Sequence, residues 1–372
     1  MKIAILAKLT KKISPLTHSG TEAFTYELTQ HLVKRGHDVT LYASSDSQTD
    51  AKLVSVVDTE TAKKVVGEDN MARVYTMLLA RDLAQDSDTY DIIHNNLVHY
   101  YFLLPFVPFI KTPILHTIHN AFFQDPDWTQ AINAFGASKR EQKAFVSKSA
   151  QAFARSTQNS SVIYNGIDTD MYAFQKSASD YVLWLSRMSP DKGVEEVLAV
   201  AEKTKKPFIL NTVLSTQKEK AYKESLKSRI KDNVTLKQEY LQESKINLYQ
   251  NAKAFLFPIM WEEPFGLVML EAMSCGAPVI AYAKGSVPEI IEDGKTGFIV
   301  NSSDDDIRGD FIIKQTGVAG LCEAVNKIYA LSDTEYQVMR QAARLRVEKK
   351  FTITKMIDSY EDLYTEMIKS NT

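Results

Sequence analysis

Two glutamates, Glu263 and Glu271, stand eight positions apart around a Phe-Gly pair in the segment Trp261–Gly276. The segment follows an apolar run and is predicted to be a helix, with Pro264 at its first position and Gly276 at its end. A helix N-terminus suits a phosphate, and a carboxylate beside it can accept hydrogen bonds from sugar hydroxyls. The pattern therefore suits a diphosphate flanked by two hydroxyl-bearing groups, although an acidic first turn is also a common structural feature.

Two cations, Arg187 and Lys192, follow the first predicted strand of the second half of the chain, in the run Ser186–Gly193. Ligands of open parallel sheets bind at the carboxyl ends of the strands, where a guanidinium fork and an ammonium suit a diphosphate. Cations in loops are usually solvated when they stand alone. Their coincidence with the two glutamates and with the small loop Gly285–Glu289 predicts that the second half of the chain binds a nucleotide.

The elements that must position these residues alternate between strand and helix. Short β-rich runs such as Lys2–Leu9, Asp38–Ala43 and Pro113–His119 are separated by helical periodicity, and a second series runs from Tyr181 to Val300. This order predicts parallel sheets. A polar break after Asn165-Gly166 predicts two domains, residues 1–172 and 173–353, and a last helix over about 354–372 is long enough to pack back on the first domain.

Composition excludes several classes of protein. The 372 residues carry 44 Lys and Arg against 46 Asp and Glu, so nucleic acid is not an expected partner. The apolar runs are far shorter than the roughly 20 residues of a membrane-spanning helix, and the first residues do not have the order of a secretory signal. A cytoplasmic protein is therefore expected. Cys275 and Cys322 stand apart, without the spacing of metal ligands.

Four ordered motifs resemble a known family: VIYNGID at 162–168, SRMSPDKG at 186–193, EPFGLVMLEAMSCGAPVIA from Glu263, and GSVPEII followed by TGFIV. Together they are similar to the retaining glycosyltransferases of family 4, over nearly the whole chain. The resemblance implies an α/β protein of the GT-B fold, with two Rossmann-like parallel-sheet domains that face each other across a cleft. It also implies a retaining enzyme that moves a hexose from a nucleoside-diphosphate sugar to a hydroxyl acceptor.

The resemblance implies roles for residues of the second domain. Glu263 matches the contact to the donor sugar, Glu271 the ribose ligand, and Arg187 with Lys192 the pair that neutralises the donor diphosphate. Glu263, Arg187 and Lys192 are therefore expected to be catalytic as well as donor-binding. Backbone amides are expected to complete the phosphate cradle near Phe265, Gly266, Leu267 and Val268. Because cations and amides would stabilise the leaving diphosphate, neither a metal nor a cofactor is expected.

The first domain is expected to bind the acceptor. His119 ends a predicted strand and matches the family histidine that packs against the donor sugar, which makes it the leading catalytic position. Where the family has a Gly-Gly loop before the first helix, this chain has Ser19-Gly20. Gly20 is expected near the donor, and Ser19 is expected to alter the fit of the acceptor. Further candidates on the acceptor side are His94, Asn95, His99 and Lys148.

Other functions stay open at this point. A nucleotide-sugar-binding protein without turnover, a phosphorylase and an epimerase are all compatible with the same fold. Three Asp-x-Asp strings lie in predicted loops without further metal ligands nearby, at 125–127, 168–170 and 304–306, so a metal site is not expected. The chain contains neither the G-x-G-x-x-G string of a dehydrogenase nor a complete P-loop.

The motifs do not specify the substrates. The run from Ser186 to Gly276 is similar to UDP-glucose-dependent small-molecule glucosyltransferases, so UDP-glucose is the first donor to consider, while GDP-mannose and UDP-N-acetylglucosamine stay open. The acceptor is a small molecule, a glycan or a lipid. Peripheral contact with a membrane through basic and aromatic residues of the first domain, such as Trp128 and Lys139, is an alternative that the sequence does not favour.

Overall fold

The computed structural model describes residues 1–15, 20–66, 69–120, 125–136, 138–154, 159–214, 216–238 and 241–371. The chain forms two compact units. The first unit comprises Met1–Asn165 and Ile353–Thr372, and the second comprises Gly166–Thr352. The chain therefore leaves the first unit once and returns to it at its end.

Strands and helices alternate through residue 165. The strands are β1 (Lys2–Leu6), β2 (Asp38–Tyr42), β3 (Lys52–Val54), β4 (Val65–Val66), β5 (Asp69–Asn70), β6 (Ile92–Asn95), β7 (Ile114–Ile118), β8 (Glu141–Phe145) and β9 (Ser160–Val162). The helices are α1 (Gly20–Lys34), α2 (Thr59–Ala62), α3 (Met71–Asp86), α4 (Pro126–Asn133) and α5 (Lys148–Ala152). Short 3-10 helices occupy Ser87–Thr89, Tyr100–Phe102 and Leu104–Phe109.

Seven strands among the described residues of the first unit form one parallel sheet, in the order β3-β2-β1-β6-β7-β8-β9, and β4 and β5 form a separate antiparallel hairpin. The chain runs outward from β1 to β3 and then continues on the other side of β1, at β6. The strand order thus reverses between β1 and β6, where Leu6 pairs with Asn95. Such a reversal leaves a crevice at the carboxyl ends of the two strands, where open α/β sheets bind ligands.

Helices cover both faces of this sheet, which explains why its central strands are apolar along their whole length. Ile3 and Ile5 pack in one core with Leu28 of α1, whereas Ala4 and Leu6 belong to a second core. The second core also contains residues of α3 and of the 3-10 helices: Leu79, Ala80, Leu83, Tyr100, Leu104 and Val107. The alternation of neighbouring residues between two cores is the period-2 geometry of a strand.

The second unit repeats this alternation from residue 166 to residue 352. Its strands are β10 (Val182–Leu185), β11 (Phe208–Asn211), β12 (Val234–Lys237), β13 (Ala254–Phe257), β14 (Val279–Tyr282) and β15 (Gly297–Val300). Its helices are α6 (Val194–Thr204), α7 (Gln217–Ser225), α8 (Gln242–Asn251), α9 (Leu267–Ser274), α10 (Val287–Ile290), α11 (Gly317–Ala330) and α12 (Asp333–Lys350), with 3-10 turns at Pro190–Lys192 and Lys227–Arg229.

Six strands among the described residues of the second unit form a parallel sheet in the order β12-β11-β10-β13-β14-β15. Here the strand order reverses between β10 and β13, where Val182 pairs with Ala254 and Leu183 with Phe255. Both units thus have the same topological feature, and both predicted groups of parallel strands are confirmed.

The last helix, α13 (Ile353–Asn371), belongs to the core of the first unit. The Tyr360 hydroxyl lies 3.1 Å from the Thr117 hydroxyl, and the Tyr364 hydroxyl bonds to the His94 ring. At its surface, Arg35 after α1 bonds to Asp358 at 2.7 Å and also to Glu361. The first unit is therefore completed by residues from both ends of the chain.

Among the described residues of the first unit, His94 in β6 and His116 in β7 are fully buried. The His94 ring bonds to Tyr364 and, at 2.6 Å, to Thr117, whereas the His116 ring bonds to Glu141 at 3.0 Å. Burial lowers the pKa of His94 well below its ordinary value, and it also lowers the pKa of His116 despite the opposing effect of Glu141. Both rings are therefore neutral at pH 7.

We predict that acid destabilises the first unit before the second. The pKa of His94 and of His116 is lower in the folded chain, so unfolding takes up protons below pH 6.5. The contribution of these histidines to the free energy of unfolding is complete above that pH. Below it, the free energy of unfolding decreases by up to about 1.4 kcal/mol per pH unit for each histidine. All seven histidines lie in residues 1–119, so the second unit is an internal control.

Hydrogen exchange read peptide by peptide at pH 7.5, 6.5 and 5.5 measures both units in one experiment, after correction for the intrinsic pH dependence of exchange. Protection lost first from β6 and β7 is the expected result. Equal loss from both units, or an unchanged pH dependence in His94→Gln, contradicts the prediction.

Candidate functional site

The reversal between β10 and β13 brings two loops of the second unit together. The loop after β10 is Ser186–Gly193, and its Asp191 carbonyl accepts a hydrogen bond from the Met260 amide after β13, at 3.0 Å. Gly193 has a φ of +66°, and a Cβ there would lie 1.9 Å from the Pro258 carbonyl oxygen. Only glycine permits this approach of two backbones.

Lys192 and Glu263 form the centre of this site. The Lys192 ammonium lies 3.2 Å from the Glu263 carboxylate, and the Trp261 indole donates to the same oxygen at 3.1 Å. The ammonium also lies 4.8 Å from the centre of the Trp261 ring. The Lys192 side chain is only 12% exposed, so its ammonium is held beside a carboxylate and is not a mobile, solvated group.

Arg187 lies at the same edge but is held loosely. Its guanidinium is 3.8 Å from Asp191 and 3.9 Å from Glu219, and its side chain is 60% exposed. Asp191 is also 3.7 Å from the Lys192 ammonium. The structure thus brings the two predicted cations together around one carboxylate, at the edge of the sheet where the sequence placed them.

Helix α9 begins later than predicted. The expectation that Pro264 opens the helix is wrong: α9 starts at Leu267, and Gly266 precedes it with a φ of +85° and no capping side chain. The cause is a tertiary contact, since the Ser286 hydroxyl bonds to the Phe265 carbonyl and holds a turn there. Glu263 is therefore not part of the helix, and a turn separates it from the first amides of α9, at Leu267 and Val268.

The Glu271 carboxylate is already engaged in α9. It accepts from the hydroxyls of Tyr172 and Tyr249, both at 2.9 Å, and lies 2.7 Å from the Lys245 ammonium. Burial and the Glu271 charge raise the pKa of both tyrosines, so both hydroxyls stay protonated donors. Sequence reasoning missed these three partners. A ribose hydroxyl would have to share this carboxylate with them, using the lone pairs that remain.

In the first unit, His119 follows β7 at the carboxyl edge of the sheet. Its Nε2 lies 3.3 Å from the Asn96 side-chain oxygen, and its ring meets the Phe24 ring edge-on at 4.7 Å. Burial lowers the pKa of His119 to about 3. The ring is therefore neutral at pH 7, and donation from Nε2 to Asn96 leaves Nδ1 as an acceptor.

Two predicted acceptor-side residues belong to the core instead. His94 is fully buried between Tyr364 and Thr117, and both of its ring nitrogens are engaged. Asn95 is also fully buried, and its amide donates to the Tyr100 carbonyl at 3.0 Å. The structure corrects the expectation that these side chains face an acceptor. They alternate across β6 and fill the interior on both faces of the sheet.

The other predictions for the first unit fall at its edge or outside the described residues. His99 is exposed just before a 3-10 turn, and Lys148 is exposed as the first residue of α5. Gly20 is the first residue of α1. Ser19 lies outside the described residues.

Two further buried polar side chains of the first unit are Glu22, which sequence reasoning missed, and Asn96, which it grouped with Asn95 on the acceptor side. Glu22 of α1 is 2% exposed, and neither of its carboxylate oxygens has a hydrogen-bond partner among the described residues. The Asn96 amide nitrogen is also buried without a hydrogen-bond partner among those residues. The Lys8 ammonium lies 3.9 Å from Glu22. Lys8 and Asn96 follow β1 and β6, so the strand order was the available signal.

The Asp-x-Asp strings have local structural partners. Asp125 caps α4, Asp168 accepts from the amides of Asp170 and Met171, and Asp306 is paired with Lys284 and Arg308. Among the described residues, no group of three or more His, Cys, Asp or Glu side chains could hold a metal ion. None of the helices in this described part of the chain has the length and apolar character of a membrane-spanning segment.

Comparison with protein-family models matches both halves of the chain. Residues 18–171 match the model described as Glycosyltransferase Family 4, and residues 172–314 match Glycosyl transferases group 1. The two matches meet at residue 171 and carry all the motifs from 162 to 300. The resemblance stated from the sequence is confirmed.

Three similar proteins illustrate the relationship. The chain is 34% identical over 111 residues to N-acetyl-alpha-D-glucosaminyl L-malate synthase of Bacillus anthracis, covering 30% of this chain and a quarter of that relative's length (25%). It is 24% identical over 355 residues to D-inositol 3-phosphate glycosyltransferase of Mycolicibacterium smegmatis, covering 80% of each. The Anabaena protein HepE, solved with UDP-glucose, superimposes with a TM-score of 0.74 at 17% identity, covering 98% of this chain and 100% of HepE. The chain belongs to the family 4 glycosyltransferases and has their GT-B fold of two Rossmann-like parallel-sheet domains.

Proposed function

We propose that this glycosyltransferase moves a hexose from a nucleoside-diphosphate sugar, UDP-glucose first among the donors, to a hydroxyl acceptor, with retention and without a metal. The observation that carries the proposal is the group formed by Arg187, Lys192 and Glu263 at the strand reversal of the second unit. The UDP-glucose bound to the structurally similar HepE supports the choice of donor.

The Lys192–Glu263 pair prepares the site for a donor. Each group of the pair stabilises the other until the diphosphate arrives. The ammonium then turns toward the phosphate oxygens, and Glu263 is released to accept hydrogen bonds from the sugar. Arg187, which is held loosely, supplies a second cation, and the early amides of α9 complete the cradle for the phosphates.

The reaction follows from this distribution of charge. The bond between the anomeric carbon and the diphosphate breaks, and the two cations stabilise the negative charge that develops on the leaving oxygen. The acceptor hydroxyl attacks from the same face, and its proton passes to the departing diphosphate. Retention then needs no carboxylate nucleophile. The two cations and the helix amides provide the positive charge that a divalent ion supplies elsewhere.

His119 acts in this scheme as a neutral contact for the donor sugar. Because its pKa is about 3, it does not donate a proton at pH 7, and its Nδ1 accepts from a hydroxyl. His99 and Lys148 remain candidates on the acceptor side.

The first unit provides groups for a hydroxyl-bearing acceptor. Glu22 offers two oxygen acceptors, and the Asn96 amide offers a donor, which together match hydroxyls that both donate and accept. Lys8 adds a cation beside Glu22. The names of two relatives contain L-malate and inositol 3-phosphate, both of which carry negative charge and hydroxyl groups. Sugars, polyols, sugar phosphates and hydroxy acids are therefore the acceptors to test first.

The donor site is tested by binding of nucleotide sugars in the presence of EDTA. At about 100 times its dissociation constant, a donor stabilises the protein by about 2.7 kcal/mol, which thermal unfolding detects. We expect UDP-glucose to act in this way and Lys192→Ala to weaken its binding about tenfold or more, since a charge-assisted contact is lost. Lys227→Ala, at an exposed surface position of the same unit, is the matched control.

Turnover then separates transfer from its alternatives. Transfer forms a glycoside with the anomeric configuration of the donor, which NMR reads directly. Sugar phosphate formed only with inorganic phosphate identifies a phosphorylase, and an isomerised donor identifies an epimerase. Donor binding without any product indicates a binding protein, and binding that requires a divalent ion contradicts the metal-free scheme.

Substitution of Glu22 on the acceptor side is expected to raise stability and to weaken acceptor binding. Glu22→Gln removes a buried carboxylate that lacks hydrogen-bond partners among the described residues and whose contact with the half-exposed Lys8 is long, at 3.9 Å, so we expect a higher melting temperature. The same change should raise the KM for the acceptor about tenfold, because a hydrogen bond to a charged group is replaced by one to an amide. Glu60→Gln, at an exposed position, is the control. Lower stability together with an unchanged acceptor KM would refute this role.

A further inference from the structure

Four charged side chains of the second unit, Glu262, Arg308, Asp306 and Lys284, contact one another in series, and the Gly285 amide closes the series into a ring. The Arg308 guanidinium contacts both carboxylate oxygens of Glu262, at 2.6 and 2.8 Å, and its Nε lies 2.6 Å from Asp306. Asp306 in turn lies 2.8 Å from the Lys284 ammonium. The ring closes because the Gly285 amide, next to Lys284 in the chain, donates to Glu262 at 2.6 Å.

This ring fixes the main chain of Glu263. The Ser286 amide donates to the Glu263 carbonyl at 3.0 Å, and a Cβ on Gly285 would lie 2.1 Å from that same oxygen. The turn at 284–286 is thus packed directly on the Glu263 backbone, and Lys284 ties that turn to Asp306. The two neighbouring glutamates therefore pair with different cations: Glu263 pairs with Lys192, and Glu262 pairs with Arg308.

The electrostatics of the ring keep Asp306 and Arg308 charged at neutral pH. The hydrogen bond to Glu262 is the main cause that raises the pKa of Arg308. Burial alone would raise the pKa of Asp306, but hydrogen bonds from Arg308, Lys284 and Ser302 outweigh it and lower that pKa well below its ordinary range. Arg308 bridges the two acids of the ring, because its planar fork places two nitrogens on Glu262 and a third on Asp306.

We propose that Arg308 and Asp306 are positioning residues of the donor site, which hold Glu262 and the 284–286 turn so that Glu263 meets the donor sugar. The inference rests on the proposed function of that site. It also gives a role to Asp306, which belongs to an Asp-x-Asp string that the donor site itself does not use. The ring positions Glu263 for the donor sugar, whereas Lys192 and Arg187 contact the diphosphate.

Calorimetric binding of UDP and of UDP-glucose to the full chain separates these two effects. We expect Arg308→Ala to weaken the binding of UDP-glucose about tenfold and the binding of UDP less than twofold. Loss of the ring displaces Glu263, whose carboxylate contacts the sugar that UDP lacks. Asp306→Asn should act in the same direction, and Arg308→Lys should restore part of the loss. Arg229→Ala is the matched control, since Arg229 pairs with Glu195 at 2.8 Å on the surface of the same unit.

The possible outcomes distinguish the inference from the function on which it rests. Equal weakening of UDP and UDP-glucose, in step with a lower melting temperature, would mean that the ring only stabilises the fold. Wild-type affinity for UDP-glucose in Arg308→Ala also overturns the inference while the donor site stands. A wild-type protein that binds neither UDP nor any nucleotide sugar of the donor panel overturns the donor site and this inference together.

Discussion

The contact between Gly193 and the Pro258 carbonyl is the constraint on which the candidate site depends. It lets the loop after β10 lie directly on the segment after β13, so that Lys192 reaches Glu263 across only 3.2 Å. A second contact of this kind places Gly285 on the backbone of Glu263. Because backbone atoms make both contacts, the main chain fixes where the Lys192 and Glu263 side chains begin, and only their rotamers remain to be set.

Both units use the same topological feature with different chemistry. The strand order reverses between β1 and β6 in the first unit and between β10 and β13 in the second, and polar residues follow these strands in each. The second unit places cations there, which suits a diphosphate. The first unit places a neutral histidine, His119, and a buried carboxylate, Glu22, near its edge. That difference fits a proposed division between a charged donor and a hydroxyl-bearing acceptor.

Local sequence predicted the central strands of both sheets, although not the short strands β3, β4, β5 and β9, and it predicted the grouping of Arg187, Lys192 and Glu263, because periodicity and strand ends are local properties. It failed where a distant residue decides the outcome. The start of α9 depends on Ser286, which bonds to the Phe265 carbonyl 21 positions away. One of the two tyrosines that engage Glu271, Tyr172, lies 99 positions away, and the ring of His94 bonds to Tyr364, 270 positions away. None of these three separations leaves a signal in a periodic pattern.

The position of α13 has a consequence for the synthesis of the protein. The second unit is one continuous stretch, Gly166–Thr352, whereas the core of the first unit contains Ile357, Tyr360 and Tyr364 from the end of the chain. Domains usually fold in the order in which the ribosome makes them. Here the first unit, although made first, lacks part of its core until the last helix emerges. The second unit can fold earlier, whereas the face of the first sheet that α13 covers stays exposed until α13 has left the ribosome.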